Sequence, residues 1–228
     1  MFKTETHLHT RPVSFCAYFS PEEMIRFYKE AGYHTVFVSD HFAANHFARL
    51  GELSWQEKTA LLYGSYLRAK AEGEKLGMNV LFSPELTLCG NHYLLYHADL
   101  GFLNSREDFF SLTMEEFYRH AKAHGIFIVQ AHPYRDGKCK PTPEYVDGFE
   151  VINTNPRHEN HDELSIPLIH RYSLPFSAGS DAHRQEDIAR VAMLSQEEIK
   201  TTEQYIELLG SGQAQILVDG KIFGEENA

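Results

Sequence analysis

The chain carries no cysteine framework. Cys16, Cys89 and Cys139 are odd in number and form no Cys-x-x-Cys pair, which excludes a structural zinc module and fits a reducing compartment better than a disulfide scaffold. Long apolar runs are missing as well. They stop well short of the ~18 residues needed to cross a membrane, and the polar start Lys3-Thr4-Glu5 gives no secretory leader. No Pro/Gly/Ser-rich linker, low-complexity tract or internal repeat divides the 228 residues, so one domain over 1–228 is expected, in the cytoplasm. Positive charge is scarce. A net charge of −11 argues against long nucleic-acid partners, whose binders carry a basic stripe. It leaves a small phosphorylated substrate open, because bound divalent cations would invert the local field. Glycine-rich phosphate loops and Ser-His-Asp or Cys-His arrangements are also lacking.

Helix starts are written in capping chemistry. Ser20-Pro21-Glu22-Glu23 combines an N-cap serine, a proline at the first helical position and a glutamate at the third, and Gly32 ends the element. Ser54-Trp55-Gln56-Glu57 opens a long helix that stops near Gly77, and Thr113-Met114-Glu115-Glu116 opens one closed by Gly125. Ser195-Gln196-Glu197-Glu198 is expected to begin the last helix. Between them lie short apolar runs at 4–8, 35–39, 79–83, 93–96, 126–130, 149–152 and 175–178. Strands alternating with helices predict an α/β fold with a parallel sheet, and seven or so units favour a barrel.

Histidine is what the chain has in excess, with fourteen residues. His7-Leu8-His9 and Asp181-Ala182-His183 each place two metal-type ligands at i and i+2, on one side of an extended segment. Between these fragments come Asp40-His41, Glu85, His92, His97 and His132, each on or beside an apolar run. In β/α barrels the C-terminal strand ends converge on one rim, so residues remote in sequence would meet there. Imidazole with carboxylate suits zinc, manganese or iron. A carboxylate such as Glu85 can bridge two ions through its two oxygens.

The ordered set His7-Leu8-His9-Thr10, Ser39-Asp40-His41, Pro84-Glu85-Leu86-Thr87, His92, Ala131-His132-Pro133 and Gly179-Ser180-Asp181-Ala182-His183 resembles the polymerase and histidinol phosphatase (PHP) family of metal-dependent phosphoesterases. The resemblance spans about residues 5–185. It implies a distorted (β/α)7 barrel with two or three divalent ions. By position, His7, His9, Glu85 and Asp181 would hold the first ion, and Glu85, His92 and His132 the second. His41 and His183 would hold a third. Asp40 is expected to stand behind the ligands and orient an imidazole. Many family members place a further ligand of the third ion five or six residues after the second opening histidine. Here those positions are Ser14 and Phe15, and Cys16 follows. Cys16 is either a thiolate ligand or a small buried hydrophobe.

His97 lies five residues from His92 and is expected on the opposite side of a regular strand, as a supporting pocket residue. His46 falls in the long connection 42–53, where lids and specificity loops occur. Arg135 and Arg11 are the expected phosphate binders, with Arg157 and Arg184 as weaker candidates. The expected activity is hydrolysis of a small phosphomonoester by a metal-bridging hydroxide, with Glu85, Asp181 and His183 as catalytic residues. A phosphodiesterase or exonuclease acting on short oligonucleotides, and a non-catalytic metal-binding module, are the alternatives.

Overall fold

The structure, a computed structural model, describes residues 1–224. The first half comprises β1 (Phe2–Leu8), α1 (Pro21–Glu30), β2 (Thr35–Val38), β3 (His41–Phe42), α2 (Ala44–Arg49), α3 (Trp55–Leu76), β4 (Asn79–Phe82), β5 (Glu85–Leu88) and β6 (Asn91–Tyr96). The second comprises α4 (Leu100–Leu103), α5 (Met114–Ala123), β7 (Phe127–Ala131), β8 (Gly148–Asn153), α6 (Asp162–Ser165), α7 (Leu168–Tyr172), β9 (Phe176–Gly179), β10 (Val191–Ser195), α8 (Thr202–Ser211), β11 (Gln215–Val218) and β12 (Lys221–Ile222). Among the described residues no helix is long and apolar enough to cross a membrane.

The capping boxes at Ser20, Ser54 and Thr113 form as read, each hydroxyl accepting the third-position N–H while that glutamate reaches back to the cap. The fourth does not. Ser195 ends β10, its hydroxyl donating to the Glu197 carbonyl at 2.6 Å, and the last helix instead starts at a box made by Thr201 and Gln204. The Ser-Gln-Glu-Glu pattern lost to strand pairing, because the apolar Val191–Ser195 run is tied on both sides, to β1 and to β11.

Two six-stranded sheets result, in the orders β12-β11-β10-β1-β2-β4 and β3-β5-β6-β7-β8-β9. They are continuous at their breaks. After Val38 the chain resumes as β3, and after Phe82 as β5; Ser83 N–H donates to the Val38 carbonyl, and Glu85 N–H to Asp40. At the other edge a parallel bridge pairs Leu8 with Ala182, so the segment after β9 lies against the end of β1. Seven strand positions therefore surround one core in a barrel-like α/β arrangement. The sheets are mixed rather than parallel: β6 runs antiparallel to both β5 and β7, and β10 antiparallel to β1. This reversal puts the beginning of β6, not its end, at the rim.

α8 covers the end of the barrel away from that rim. Its Tyr205 packs on Phe37 and Tyr96 with ring centroids 4.9 and 5.1 Å apart, and all three are fully buried. Each such ring contributes roughly 1.5–3 kcal/mol by leaving water. At the rim, space is tight. A Cβ at Gly179 would sit 2.5 Å from both Glu150 Oε1 and the His7 Cβ. The neighbouring backbone is held by Thr6, whose hydroxyl donates to the Ala178 carbonyl at 2.7 Å. Gly179→Ala is therefore expected to lower stability by about 1–3 kcal/mol, read from the denaturant midpoint, and to displace His7.

Candidate metal centre

The rim gathers ligand-type side chains from six strand ends. His7 comes from β1 and His9 from just beyond it; His41 opens β3, Glu85 opens β5, and His92 lies at the start of β6. His132 follows β7, and Asp181 with His183 follows β9. His132 and Asp181 adopt positive φ values of 31° and 50°, which non-glycine residues rarely hold, at the points where each strand turns its ligand inward.

Glu85 is the centre of the cluster. Its Oε1 lies 3.2 Å from His132 Nε2, 3.3 Å from His92 Nδ1 and 3.5 Å from His7 Nε2. Its Oε2 lies 2.7 Å from His41 Nδ1 and 3.8 Å from His9 Nε2. Despite the short His41 approach, this buried Oε2 has no aligned hydrogen-bond donor. On the other side, His9 Nε2 is 2.9 Å from Asp181 Oδ1 and 3.1 Å from His7 Nε2. Two donors each about 2.1 Å from a shared ion lie roughly 3.0–3.4 Å apart at 90–110°. The observed separations fall around that range. Three-donor groups converge at His7/His9/Glu85, Glu85/His92/His132, His7/His132/Asp181 and His9/His41/His183. The residues present thus fit divalent ions, through nitrogen and oxygen donors.

Protonation divides the imidazoles: burial would lower both His7 and His41, but Glu150 and Asp181 raise His7, and Cys16 and Glu85 bring His41 up to about 10. Burial, together with His41 and His183, pulls His9 well below its usual value. Burial and Arg135 bring His132 down to about 4, so both stay neutral, as ligands must. Burial would push Glu85 up, but His92, His132 and His41 hold it well below the usual carboxylate range. For Asp181 burial is likewise outweighed, by Arg135 and then His7.

Several supports lie behind the ligands, and the sequence reading missed the main one. Glu150, fully buried in β8, accepts from His7 Nδ1 at 2.9 Å, from the His132 N–H at 3.1 Å and from Asn153 at 2.8 Å. This fixes the His7 tautomer so that Nε2 faces the cluster. A charge inside the apolar run Phe149-Glu150-Val151-Ile152 was the available signal, since a buried carboxylate needs a partner. Glu150→Gln is expected to weaken ion affinity about 10–100-fold, measurable by competition with a chromophoric chelator. Glu5 does comparable work on the backbone, taking the N–H groups of His7 and Ser180 at 2.9 and 3.0 Å and the Tyr28 hydroxyl at 2.9 Å.

Three expectations need correction. Asp40 touches no imidazole: it accepts from Thr10 N–H at 2.6 Å, Thr10 Oγ1 at 2.7 Å and Ser14 Oγ at 2.7 Å, and only Ser14 reaches His9, at 3.4 Å. Asp40 thus holds the loop rather than a ring. His97 lies outside the site, because antiparallel β6 carries it to the opposite end of the barrel, 3.5 Å from Glu203 on α8. Arg11 is exposed and lies away from the cleft above the cluster.

Arg135 does enter that cleft, its Nη1 2.6 Å from Asp181 Oδ2, with Asn153 and Asn160 fixing the guanidinium at 2.8 Å each. Arg157 and Arg184 also line the cleft. Arg157 makes a two-pronged pair with Asp187, which in turn accepts the His183 and Arg184 N–H groups. Cys16 lies 3.2 Å from His41 Nε2, and His46 comes within 4.0 Å of the same sulfur. Burial would raise the Cys16 thiol, but His183, His41 and His46 bring it down to about 4.

The fold is PHP-like. The family model described as PHP-associated matches residues 160–214. Solved structures extend the likeness over nearly the whole chain. A two-domain protein from Bacteroides vulgatus, containing a predicted PHP-like metal-dependent phosphoesterase, superposes with a TM-score of 0.69 at 17% identity over 97% of this chain, which spans 66% of it. PsfC from Pseudomonas syringae gives 0.69 at 17% identity, covering 95% of this chain and 91% of its own. The lesion-specific endonuclease PfuEndoQ from Pyrococcus furiosus gives 0.63 at 16% identity, covering 95% of this chain and 57% of its own. At such identities the likeness establishes the fold. No curated protein sequence matches the chain.

Proposed function

We propose that the chain is a metal-dependent phosphoesterase that releases phosphate from a small phosphomonoester. The observation that carries this reading is Glu85, whose two oxygens face separate groups of imidazoles at the floor of a cleft of about 340 Å³. His7, His9, Glu85 and Asp181 would hold one ion; Glu85, His92 and His132 a second; and His41 with His183 a third. Bound there, divalent ions supply a nucleophile near neutral pH and neutralise phosphoryl charge.

The chain's own residues provide the rest. Arg135, pinned by two asparagines at the cleft wall, would take phosphoryl oxygens with its planar fork. Its tie to Asp181 fixes where the phosphoryl group would sit relative to the ligands. His183 keeps Nδ1 on the Asp181 carbonyl at 2.8 Å, which leaves Nε2 as the nitrogen turned from that carbonyl. That nitrogen either binds an ion or gives a proton to the leaving oxygen. The roles exclude each other, since a ligated nitrogen carries no proton.

Cleavage of short oligonucleotides is the second reading. It is favoured by the cleft being open, with Arg157, Arg184 and Lys138 along its wall, and by the likeness to the Pyrococcus endonuclease. The net charge of −11 opposes longer polymers. Free thiols at Cys16, Cys89 and Cys139 fit the cytoplasm. The test compares phosphate release from a panel of monoesters with cleavage of dinucleotides, using protein loaded in turn with zinc, manganese and iron. Monoester turnover alone supports the proposal, and dinucleotide cleavage alone supports the second reading. Tight metal retention with neither activity would leave a non-catalytic metal-binding module.

A further inference from the structure

We propose that the third ion of the centre is thiolate-ligated, held at the outer edge by Cys16 and His46 together with His41. The inference rests on the metal-binding reading of the cluster and adds a sulfur ligand and a loop histidine to it. Cys16 Sγ, His41 and His46 present ligand atoms that all lie within 4.8 Å of one another. Sulfur stands 3.2 Å from His41 Nε2 and 4.0 Å from His46 Nε2. An ion about 2.3 Å from sulfur and about 2.0–2.1 Å from nitrogen, held tetrahedrally, sets these atoms roughly 3.5 Å apart. The two observed distances bracket that value.

The rings are positioned for the purpose. His41 turns Nδ1 inward to Glu85, so Nε2 is the nitrogen left for an outer ion. His46 lies between His41, tilted against it with centroids 4.3 Å apart, and Phe15, stacked at 5.8 Å. Its Nδ1 lies 3.1 Å from Asn45 Oδ1, which directs Nε2 at the sulfur. The position two residues before Cys16 is taken by Ser14, which is buried and committed to Asp40. No carboxylate or imidazole is thus available from that stretch of the loop, and Cys16 is its metal-type donor. A thiolate with two imidazoles favours zinc, cobalt or another borderline-soft ion over magnesium or calcium. Binding releases to solvent the proton that the Cys16–imidazole cluster holds.

The experiment loads the full-length protein with cobalt(II) and records its absorption, then maps iodoacetamide alkylation by peptide mass spectrometry, which separates Cys16 from Cys89 and Cys139. The expected results are a thiolate-to-cobalt charge-transfer band absent from Cys16→Ser, a slowing of Cys16 alkylation by about tenfold or more on loading, and loss of one bound ion in both Cys16→Ser and His46→Asn. A Cys16 that alkylates equally fast with and without metal, in protein that still binds ions at the Glu85 cluster, overturns this inference and leaves the proposed function standing. Protein that binds no ion at all overturns both.

Discussion

A Glu85→Gln protein is expected to keep its fold and lose both its ions and its phosphate release. Loss of a partner that merely steadies a ligand costs about 10–100-fold in metal affinity. Glu85 faces five imidazoles directly, through both oxygens. Its replacement should therefore exceed that range. Glutamine preserves shape but offers one weak oxygen and an N–H₂ that would point at imidazole nitrogens. Thermal denaturation provides a second readout. An ion present at 100 times its Kd stabilises the native state by about 2.7 kcal/mol. Chelation should lower the wild-type melting temperature accordingly and that of Glu85→Gln by clearly less.

Arg135→Ala carries the other large effect. In the metal-free protein Arg135 is the strongest counter-charge to Asp181, which burial alone would push toward protonation. Removing one member of such a buried pair costs about 3–5 kcal/mol, part of it recovered because the cleft admits water. The pH dependence has a definite sign. A carboxyl held below its unfolded value stabilises the fold above the unfolded pKa, and that contribution is lost as pH falls through the folded one. Without Arg135 the folded value rises, so acid unfolding of the metal-free variant should begin at a higher pH than in the wild type. With metal bound, the variant should also lose phosphoryl contacts. Arg135→Lys, which keeps the charge but not the planar fork, should recover more stability than activity.

The candidate ligands were legible as a cluster in the sequence because each sits where a short apolar run ends or begins, and barrel geometry converts such positions into one rim. Helix starts at Ser20, Ser54 and Thr113 were legible for a local reason, the reciprocal bonds of the capping box. What escaped was non-local. Ser195 carries a comparable signature, but pairing with β1 and β11 decides its state. The reversal of β6 separates His92 from His97 by the length of the strand, whereas alternation along the strand would only have turned them to opposite faces. Glu150 was hidden inside an apolar strand, since its partner His7 lies 143 residues away in sequence. Arg11 and Arg135 both follow ligand motifs, and only the fold distinguishes the arginine that turns inward from the one that faces solvent.

The most direct test of a multi-ion centre built on Glu85 is elemental analysis of purified wild-type and Glu85→Gln protein after equilibration with zinc, manganese or iron and removal of free ions. Two or three ions retained per wild-type chain, and at most one in the variant, is the predicted result. A wild type that retains none, or a variant that retains the full set, would contradict it.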